Sequence, residues 1–203
     1  MNELDKIAME KAIEESKANL SNNYQSGGPF GAAIVKDGNI IASAHNTVVE
    51  SKDATAHAEV NAIRKASQIL NTHDLSGCIL YTSAEPCPMC LSAIIWANIK
   101  DVYFANTRKD ADDIGFRDDM IYEYLKGHNK DLLDLKQIDR DACISLFEQY
   151  KKQFKLLHDE NITTVPELEA FIGNLEKQIG ELDTERAAAI VLDEFRSSKI
   201  GYI

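Results

Sequence analysis

The chain of 203 residues has little positive charge and no long apolar run, and each shortage excludes a class of protein. Its 22 Lys and Arg residues face 33 Asp and Glu residues, which gives a net charge of −11 and a poor surface for following nucleic-acid phosphates. No apolar stretch reaches the roughly 18 residues of a membrane span, and the N-terminus lacks the basic flank and apolar core of a signal peptide. We therefore expect neither nucleic acid nor a membrane as a partner.

Cysteine is also scarce, with 4 residues in the chain. Cys87 and Cys90 stand at metal-ligand spacing, whereas Cys78 and Cys143 are isolated in the sequence. This usage is typical of a reducing compartment, because no set of cysteines is left to form a disulfide framework. We expect the protein to be cytoplasmic.

The most informative residues present are His57 and Glu59, two positions apart, followed by Cys87 and Cys90. Pro88 suits the first turn of a helix that begins at Cys87, where unpaired backbone N–H groups favour thiolates. Two thiolates and an imidazole are zinc ligands that leave a fourth position open for water. We predict one zinc ion per subunit, bound by His57, Cys87 and Cys90, with Glu59 as the general acid and base. This spacing, H-x-E before P-C-x-x-C, is the signature of zinc-dependent nucleobase deaminases.

Two other uses of a C-x-x-C motif were weighed. A structural zinc site normally has four protein ligands, and the chain offers no second close pair of Cys or His residues. A redox pair would not require His57 and Glu59. Both alternatives are therefore less favoured than a catalytic zinc site.

Hydrophobic spacing predicts alternating helices and strands. The predicted elements are a helix to about residue 24, strands at 31–36 and 39–44, a helix from residue 57 to about 70, a strand at 78–83, a helix at 87–96, a strand at 101–105, a fifth strand near 132–138 and a helix at about 141–157. Strand, helix and strand in this order indicate a right-handed crossover in a mixed sheet. Both halves of the metal motif then fall at the starts of two helices on one face of that sheet.

Three runs resemble the cytidine deaminase-like superfamily, and more narrowly bacterial guanine deaminases and plant guanosine deaminases. They are Gly-Gly-Pro-Phe-Gly-Ala at 27–32, Ala-Thr-Ala-His-Ala-Glu-Val at 54–60 and Glu-Pro-Cys-Pro-Met-Cys at 85–90. The resemblance covers roughly residues 5–157. It implies an α/β fold, a three-layer α/β/α sandwich around a five-stranded mixed sheet. It also implies that the protein is a homodimer and catalyses hydrolytic deamination. We assign residues 1–158 to this zinc-dependent deaminase domain.

The segment at 110–122 resembles that of guanine deaminases, in which Gly-Phe is followed by an aspartate needed for the reaction. The matching position is Asp118, and adenosine-acting tRNA deaminases typically carry a different loop. A second proton carrier beside the leaving nitrogen would relieve Glu59 of making every transfer. Taken without the resemblance, Asp118 and its acidic neighbours would instead form a solvated loop.

The resemblance also implies a set of purine contacts, at Asn46, Phe30, Ala58, Trp96 and Phe116. Asn46 matches an asparagine that hydrogen-bonds the purine edge, and the aromatic residues would stack on or enclose the base. Asn46 could otherwise be a turn residue, and Trp96 could be ordinary core. His45 stands where glutamine is common in bacterial relatives. Whether the substrate is a free base or a nucleoside therefore stays open.

These residues lead us to expect hydrolysis of the small molecule guanine to xanthine and ammonia, with Glu59 and Asp118 moving the protons. Three alternatives stay open. They are deamination of guanosine or another nucleoside or nucleobase, tRNA-editing adenosine deamination, and a non-catalytic zinc protein that binds a partner.

The last part of the chain, 159–203, is an extension that the resemblance does not cover. Its apolar residues step by three and four, at Val165, Leu168, Ile172, Leu175, Ile179 and Leu182. This heptad-like spacing predicts a helical extension that packs on the enzyme or on a dimer mate. In the family the C-terminal region can close the partner's pocket, and the extension leaves that role open here.

Overall fold

The computed structural model describes residues 2–23 and 25–159, with side chains as far as residue 151. The strands are β1 (Gly31–Lys36), β2 (Asn39–His45), β3 (Ile79–Ala84) and β4 (Asp101–Asn106). The helices are α1 (Glu3–Ser21), α2 (Val48–Ser51), α3 (Ala58–Leu70), α4 (Pro88–Trp96), α5 (Arg108–Asp113), α6 (Asp119–Leu125) and α7 (Arg140–Asp159), with a 3-10 turn at Lys130–Leu132. The predicted helices and the first four predicted strands are confirmed within a few residues, while α2, α5 and α6 were not predicted.

The strands form one mixed sheet in the order β2-β1-β3-β4. Strand β1 runs antiparallel to both β2 and β3, and β3 is parallel to β4. The β1–β2 hairpin closes at Asp37 and Gly38, both at positive φ (49° and 78°), which is the turn that the Asp-Gly pair predicts. The parallel β3–β4 pair is joined through α4, as expected for a crossover connection.

The predicted fifth strand is wrong for the part of the chain that the structure describes, because the sheet there has four strands. Residues 130–132 form the 3-10 turn, and 133–139 belong to no helix or strand. The apolar residues Leu133, Leu135 and Ile138 do not keep the alternation of a half-buried strand. Leu135 and Ile138 remain 82% and 80% exposed, so little apolar burial offsets the cost of ordering them as a strand.

Two apolar clusters cover the two faces of the sheet and give the predicted three layers. One cluster joins strand residues such as Ile34 and Leu80 to Ala62 of α3 and Ile94 of α4. The other packs α1 on the opposite face, through Ala8, Ala12, Ala33, Val35 and Tyr81. Gly31 lies so close to the backbone of α1 that a Cβ there would collide with the carbonyl of Ala12. Small residues on α1 and β1 thus let the helix approach the sheet closely.

Contacts divide the chain into two compact units, between Leu133 and Asp134. Helix α7 is the described helix of the second unit, and all other elements named above belong to the first. The proposed domain boundary between residues 158 and 159 falls at the end of the described residues and stays a prediction, and the predicted helical extension lies outside them. Among the described helices, none combines the length and apolarity needed to cross a membrane.

Candidate metal centre and active site

Three side chains with metal-binding atoms meet where α3 and α4 begin. His57 Nδ1 lies 3.6 Å from Cys87 Sγ and 3.6 Å from Cys90 Sγ. A tetrahedral zinc ion, with Zn–S of about 2.3 Å and Zn–N of about 2.0 Å, would separate its ligand atoms by roughly 3.6 Å. The residues therefore fit zinc, and the geometry agrees with the ligand set predicted from the spacing.

The local backbone explains why these residues meet. His57 and Cys87 are the N-cap residues of α3 and α4, both with extended backbone (φ −68° and −67°), and Pro88 occupies the first helical turn of α4. The two helices pack against each other and against the same apolar cluster. Residues about thirty positions apart are thus held at two adjacent helix N-termini, whose positive ends favour thiolates.

Electrostatics in the metal-free cluster favour one thiolate. A hydrogen bond from the Cys90 thiol, with help from His57, lowers the pKa of Cys87 to about 4 despite partial burial. The same bond and burial raise the pKa of Cys90. The bond to Cys87 raises the pKa of His57. Zinc binding then needs only to displace the remaining protons, from the His57 imidazolium and the Cys90 thiol.

Glu59 is buried beside this cluster in the first turn of α3 but is not one of the three grouped ligands. Burial raises the pKa of its carboxyl group, and the nearby Cys87 thiolate raises it further. A carboxyl group with a raised pKa both accepts and returns protons near neutral pH. Its position matches the proton carrier predicted from the spacing.

A cavity of about 310 Å³ opens beside the three ligands. Its lining consists of Phe30, His57, Glu59, Ala84, Glu85, Cys87, Arg108, Ala111, Phe116, Arg117, Asp118 and Ile121. The volume is at the lower end of the range for small-molecule sites, roughly 300–1,000 Å³. The cavity combines a metal site, carboxyl groups and aromatic rings in one space.

Asp118 lines this cavity from the N-cap position of α6. One carboxylate oxygen, Oδ1, is buried without a hydrogen-bond partner in the described part of the chain. Burial raises the pKa of Asp118, the Arg108 guanidinium opposes the rise, and the Cys87 thiolate adds to it. The acidic neighbours Asp112, Asp113 and Asp119 are exposed, so the solvated-loop alternative describes them but not Asp118.

Two of the predicted purine-contacting aromatics meet at the wall of the cavity. The rings of Phe30 and Phe116 are 4.8 Å apart between centroids and 87° apart in plane, an edge-to-face contact. Phe116 reaches this position from the loop between α5 and α6, where Gly115 turns the chain at φ 94°. Both side chains also line a second cavity of about 670 Å³.

The other predicted substrate contacts lie outside the cavity lining. Trp96 is 74% exposed at the C-terminal end of α4, about 12 Å along the helix axis from the metal ligands, so it is neither cavity wall nor core. Ala58 is wholly buried in the apolar cluster under the sheet. Asn46 is buried at the end of β2, where its Oδ1 accepts a hydrogen bond from the Val48 N–H. The spacing of apolar residues along a helix predicts which face is buried, but it does not reveal which end of the helix lies near a site.

Sequence reasoning missed Arg108 and Glu85, which both line the cavity. Glu85 accepts a hydrogen bond of 3.0 Å from the Arg108 N–H, and the guanidinium lies 4.6 Å from the Tyr122 ring centre. One sequence signal was available. Thr107 and the acid three positions later form a capping box, which places Arg108 at the start of a helix directly after β4.

Comparison with known proteins relates this chain to zinc-binding deaminases. Residues 2–106 match the family described as the cytidine and deoxycytidylate deaminase zinc-binding region. A guanine deaminase of Bacillus subtilis (strain 168) is 60% identical over 126 residues, which are 62% of this chain and 81% of that protein. The X-ray structure of guanine deaminase from Bacillus subtilis superposes with a TM-score of 0.69 at 42% identity, over 75% of this chain and 95% of that one. A tRNA-specific adenosine deaminase of Aquifex aeolicus (strain VF5) is 53% identical over 77 residues, 38% of this chain and 51% of that protein.

Proposed function

The chain belongs to the family of the cytidine and deoxycytidylate deaminase zinc-binding region, and we propose that it hydrolyses guanine to xanthine and ammonia. One observation carries the choice of guanine. Asp118, the acid that the resemblance to guanine deaminases singles out, lines the same cavity as Glu59 and two of the three metal ligands, His57 and Cys87. The similarity to the Bacillus subtilis guanine deaminase extends over 81% of that protein and supports the same substrate.

His57, Cys87 and Cys90 would hold the zinc ion. Zinc bound there supplies a Lewis acid that lowers the pKa of a water molecule beside it. The remaining chemistry belongs to the carboxyl groups of the chain. Glu59 accepts a proton from the attacking water and returns it to a ring nitrogen of the base, so that C2 gains an oxygen without a build-up of charge on the ring.

Asp118 has the complementary role on the leaving side. Because burial raises its pKa, this carboxyl group is a better proton donor at neutral pH than an exposed aspartate. It delivers a proton to the exocyclic nitrogen as the bond from C2 to that nitrogen breaks, and it regains a proton from the hydroxyl group on C2 as that oxygen becomes a carbonyl and ammonia leaves. The two carboxyl groups thereby move the protons of one water molecule to two different nitrogens.

The aromatic pair supplies the shape for a flat heterocycle. Because Phe30 and Phe116 are nearly perpendicular, one ring can present its face to a base while the other limits the base at its edge. Because these rings exclude water from the wall of the cavity, the electrostatic interactions of the buried Glu59 carboxyl group are stronger.

We also propose that the enzyme works in purine metabolism as a cytoplasmic homodimer. A reducing compartment keeps Cys87 and Cys90 free to bind metal. Large apolar side chains on α4 and β4 are exposed in the described chain, namely Ile95, Trp96, Tyr103 and Phe104, and a dimer would bury such groups. Analytical ultracentrifugation of the full chain would give one species at twice the chain mass, and a monomer at micromolar concentration would contradict the dimer.

The test of function is ammonia release from a substrate panel by the zinc-loaded full chain. Guanine, guanosine, adenine, cytosine and a tRNA anticodon stem-loop form the panel, with the chain carrying Glu59→Gln as the inactive control. We expect release from guanine at a kcat/KM at least about a hundredfold above every other compound. Preference for guanosine would move the assignment to a nucleoside deaminase, and salt-sensitive turnover of the stem-loop would move it to tRNA editing. Inactivity on all five compounds would leave a zinc-binding interaction protein.

A further inference from the structure

We propose that Asn19 is a positioning residue for the purine pocket, holding the backbone segments that carry Phe30 and Asn46 in place. This inference rests on the proposed function, because Phe30 lines the cavity and the resemblance to guanine deaminases assigns Asn46 to the purine. Asn19 itself is absent from the lining of the cavity and so acts through these neighbours.

Asn19 lies in the last turn of α1 and is wholly buried, with 0% of its surface exposed. Its Nδ2 group donates two hydrogen bonds, at 2.6 Å to the carbonyl of Gly28 and at 2.8 Å to the carbonyl of Asn46. These acceptors belong to two segments that are distant in sequence, one before β1 and one after β2. A single amide group therefore ties the helix to both segments.

The backbone around Asn19 passes this constraint to the cavity wall. The Phe30 N–H donates to the same Gly28 carbonyl at 2.8 Å, and the Asn46 N–H donates to the Phe30 carbonyl at 3.0 Å. Gly28 also lies directly under the aromatic pair, since a Cβ there would be 2.7 Å from Phe116 and 2.8 Å from Phe30. A shift at Gly28 would thus move both rings.

The amide oxygen of Asn19 shows that packing alone does not explain why an asparagine is buried at this position. Its Oδ1 is buried without a hydrogen-bond partner among the described residues. An unpaired buried acceptor costs free energy of folding, so the oxygen end of the side chain gives no reason for an amide at this position. The donor end of the side chain is what an apolar residue cannot replace.

Two variants remove the donor in different ways. Asn19→Asp keeps the shape but places carboxylate oxygens against the carbonyls of Gly28 and Asn46. Asn19→Leu removes all polarity and serves if the Asp variant does not fold. The matched control is Ala8→Gly, because Ala8 is wholly buried in the same helix and packs in the cluster on the opposite face of the sheet from the metal site.

We expect either Asn19 variant to raise the KM for guanine at least about tenfold, with kcat within about threefold of wild type and one zinc per chain. Ala8→Gly should lower the melting temperature without this change in KM. Hydrogen exchange should show faster exchange of the Phe30 and Asn46 amides in the Asn19 variants only. An unchanged KM and unchanged exchange at those two amides would overturn the proposal, as would equal changes in the control.

The exchange measurement also separates this inference from the proposed function. If the wild-type chain does not deaminate guanine, the function fails, and calorimetric binding of guanine together with exchange at Phe30 and Asn46 still decides the role of Asn19. Retained binding and retained protection in both Asn19 variants would then reject it.

Discussion

Glu59 and Asp118 line the same cavity, although one lies in the first turn of α3 and the other occupies the N-cap position of α6. Burial raises the pKa of both carboxyl groups, and the Cys87 thiolate adds to the rise in each. The two proposed proton carriers therefore share one cavity with His57 and Cys87. Their proposed roles are distinct and can be separated by substitution.

Glu59→Gln should keep one zinc per chain while kcat for guanine falls by about a thousandfold, because the amide cannot carry a proton. Cys87→Ala should lose both zinc and activity, because a ligand is gone. Zinc content by atomic spectroscopy and ammonia release measure the two effects. Full activity in the Glu59 variant would remove it as the base.

Asp118→Asn should lower kcat for guanine by about a hundredfold with zinc retained, through loss of the second proton carrier. The matched control is Asp113→Asn at an exposed acid of the same segment, which pairs with Lys109 outside the cavity lining and should change kcat less than about threefold. Equal effects in the two variants would mean that the charge of the loop matters rather than Asp118.

The same variant has an effect on stability with a definite dependence on pH. Burial raises the folded-state pKa of Asp118 above its ordinary value of 3.8, so the folded chain binds this proton more tightly than the unfolded chain. The stabilising contribution is complete below pH 3.8 and is lost as the pH rises through the folded-state pKa. Asp118→Asn should therefore melt above wild type at pH 7, and the gap should narrow as the pH falls toward 3.8. Calorimetry at the two pH values measures it, and a gap that widens in acid would contradict the assignment.

Gly28→Ala should raise the KM for guanine several-fold, because its Cβ would meet Phe116 at 2.7 Å and force the aromatic pair to move. A double-mutant cycle with Phe116→Leu provides the control. The smaller, flexible side chain relieves the collision, so the second substitution should cost less in the Gly28→Ala background than alone. Strict additivity of the two effects on KM would show that Gly28 does not act through the ring.

Tyr81→Phe should lower stability without affecting activity. The Tyr81 hydroxyl donates a hydrogen bond of 2.9 Å to Asp5, on the face of the sheet covered by α1. Its loss should lower the melting temperature by roughly 2–4 °C. The matched control is Tyr103→Phe, which removes the hydroxyl group from the ring that stacks on Tyr81 at 5.1 Å between centroids.

The pH dependence of the Tyr81 effect follows from Asp5. Hydrogen bonds from the Asn2 backbone and from Tyr81 lower the pKa of Asp5, so this contribution is present above pH 3.8 and is lost in acid. The difference between Tyr81→Phe and wild type should shrink as the pH falls below 4. Thermal melts across pH 3–7 would show it, and a constant difference would contradict the bond to an ionised Asp5.

Much of the fold follows from signals within a few residues of each element. Asp37-Gly38 specifies its hairpin turn, and Pro88 after Cys87 marks the start of α4, because such positions depend on local backbone preferences. Helix α5 was missed because its charged residues leave no apolar stripe, and α6 was missed because seven residues are too few for helical periodicity to show. The fifth strand was a wrong prediction because strand formation depends on a neighbouring strand, which spacing within 132–138 does not reveal.

The sequence by itself determined the zinc site, since the types and spacing of His57, Cys87 and Cys90 specify its ligands, and it predicted Glu59 as a separate proton carrier. Only the tertiary structure decided which distant side chains share the cavity. It brought Phe116 and Asp118 to the metal ligands, left Trp96 at the far end of its helix and placed Asn19 between two segments of the site. The physical reason is that local patterns fix backbone conformation over one or two turns, whereas the contents of a cavity depend on how whole helices pack on the sheet.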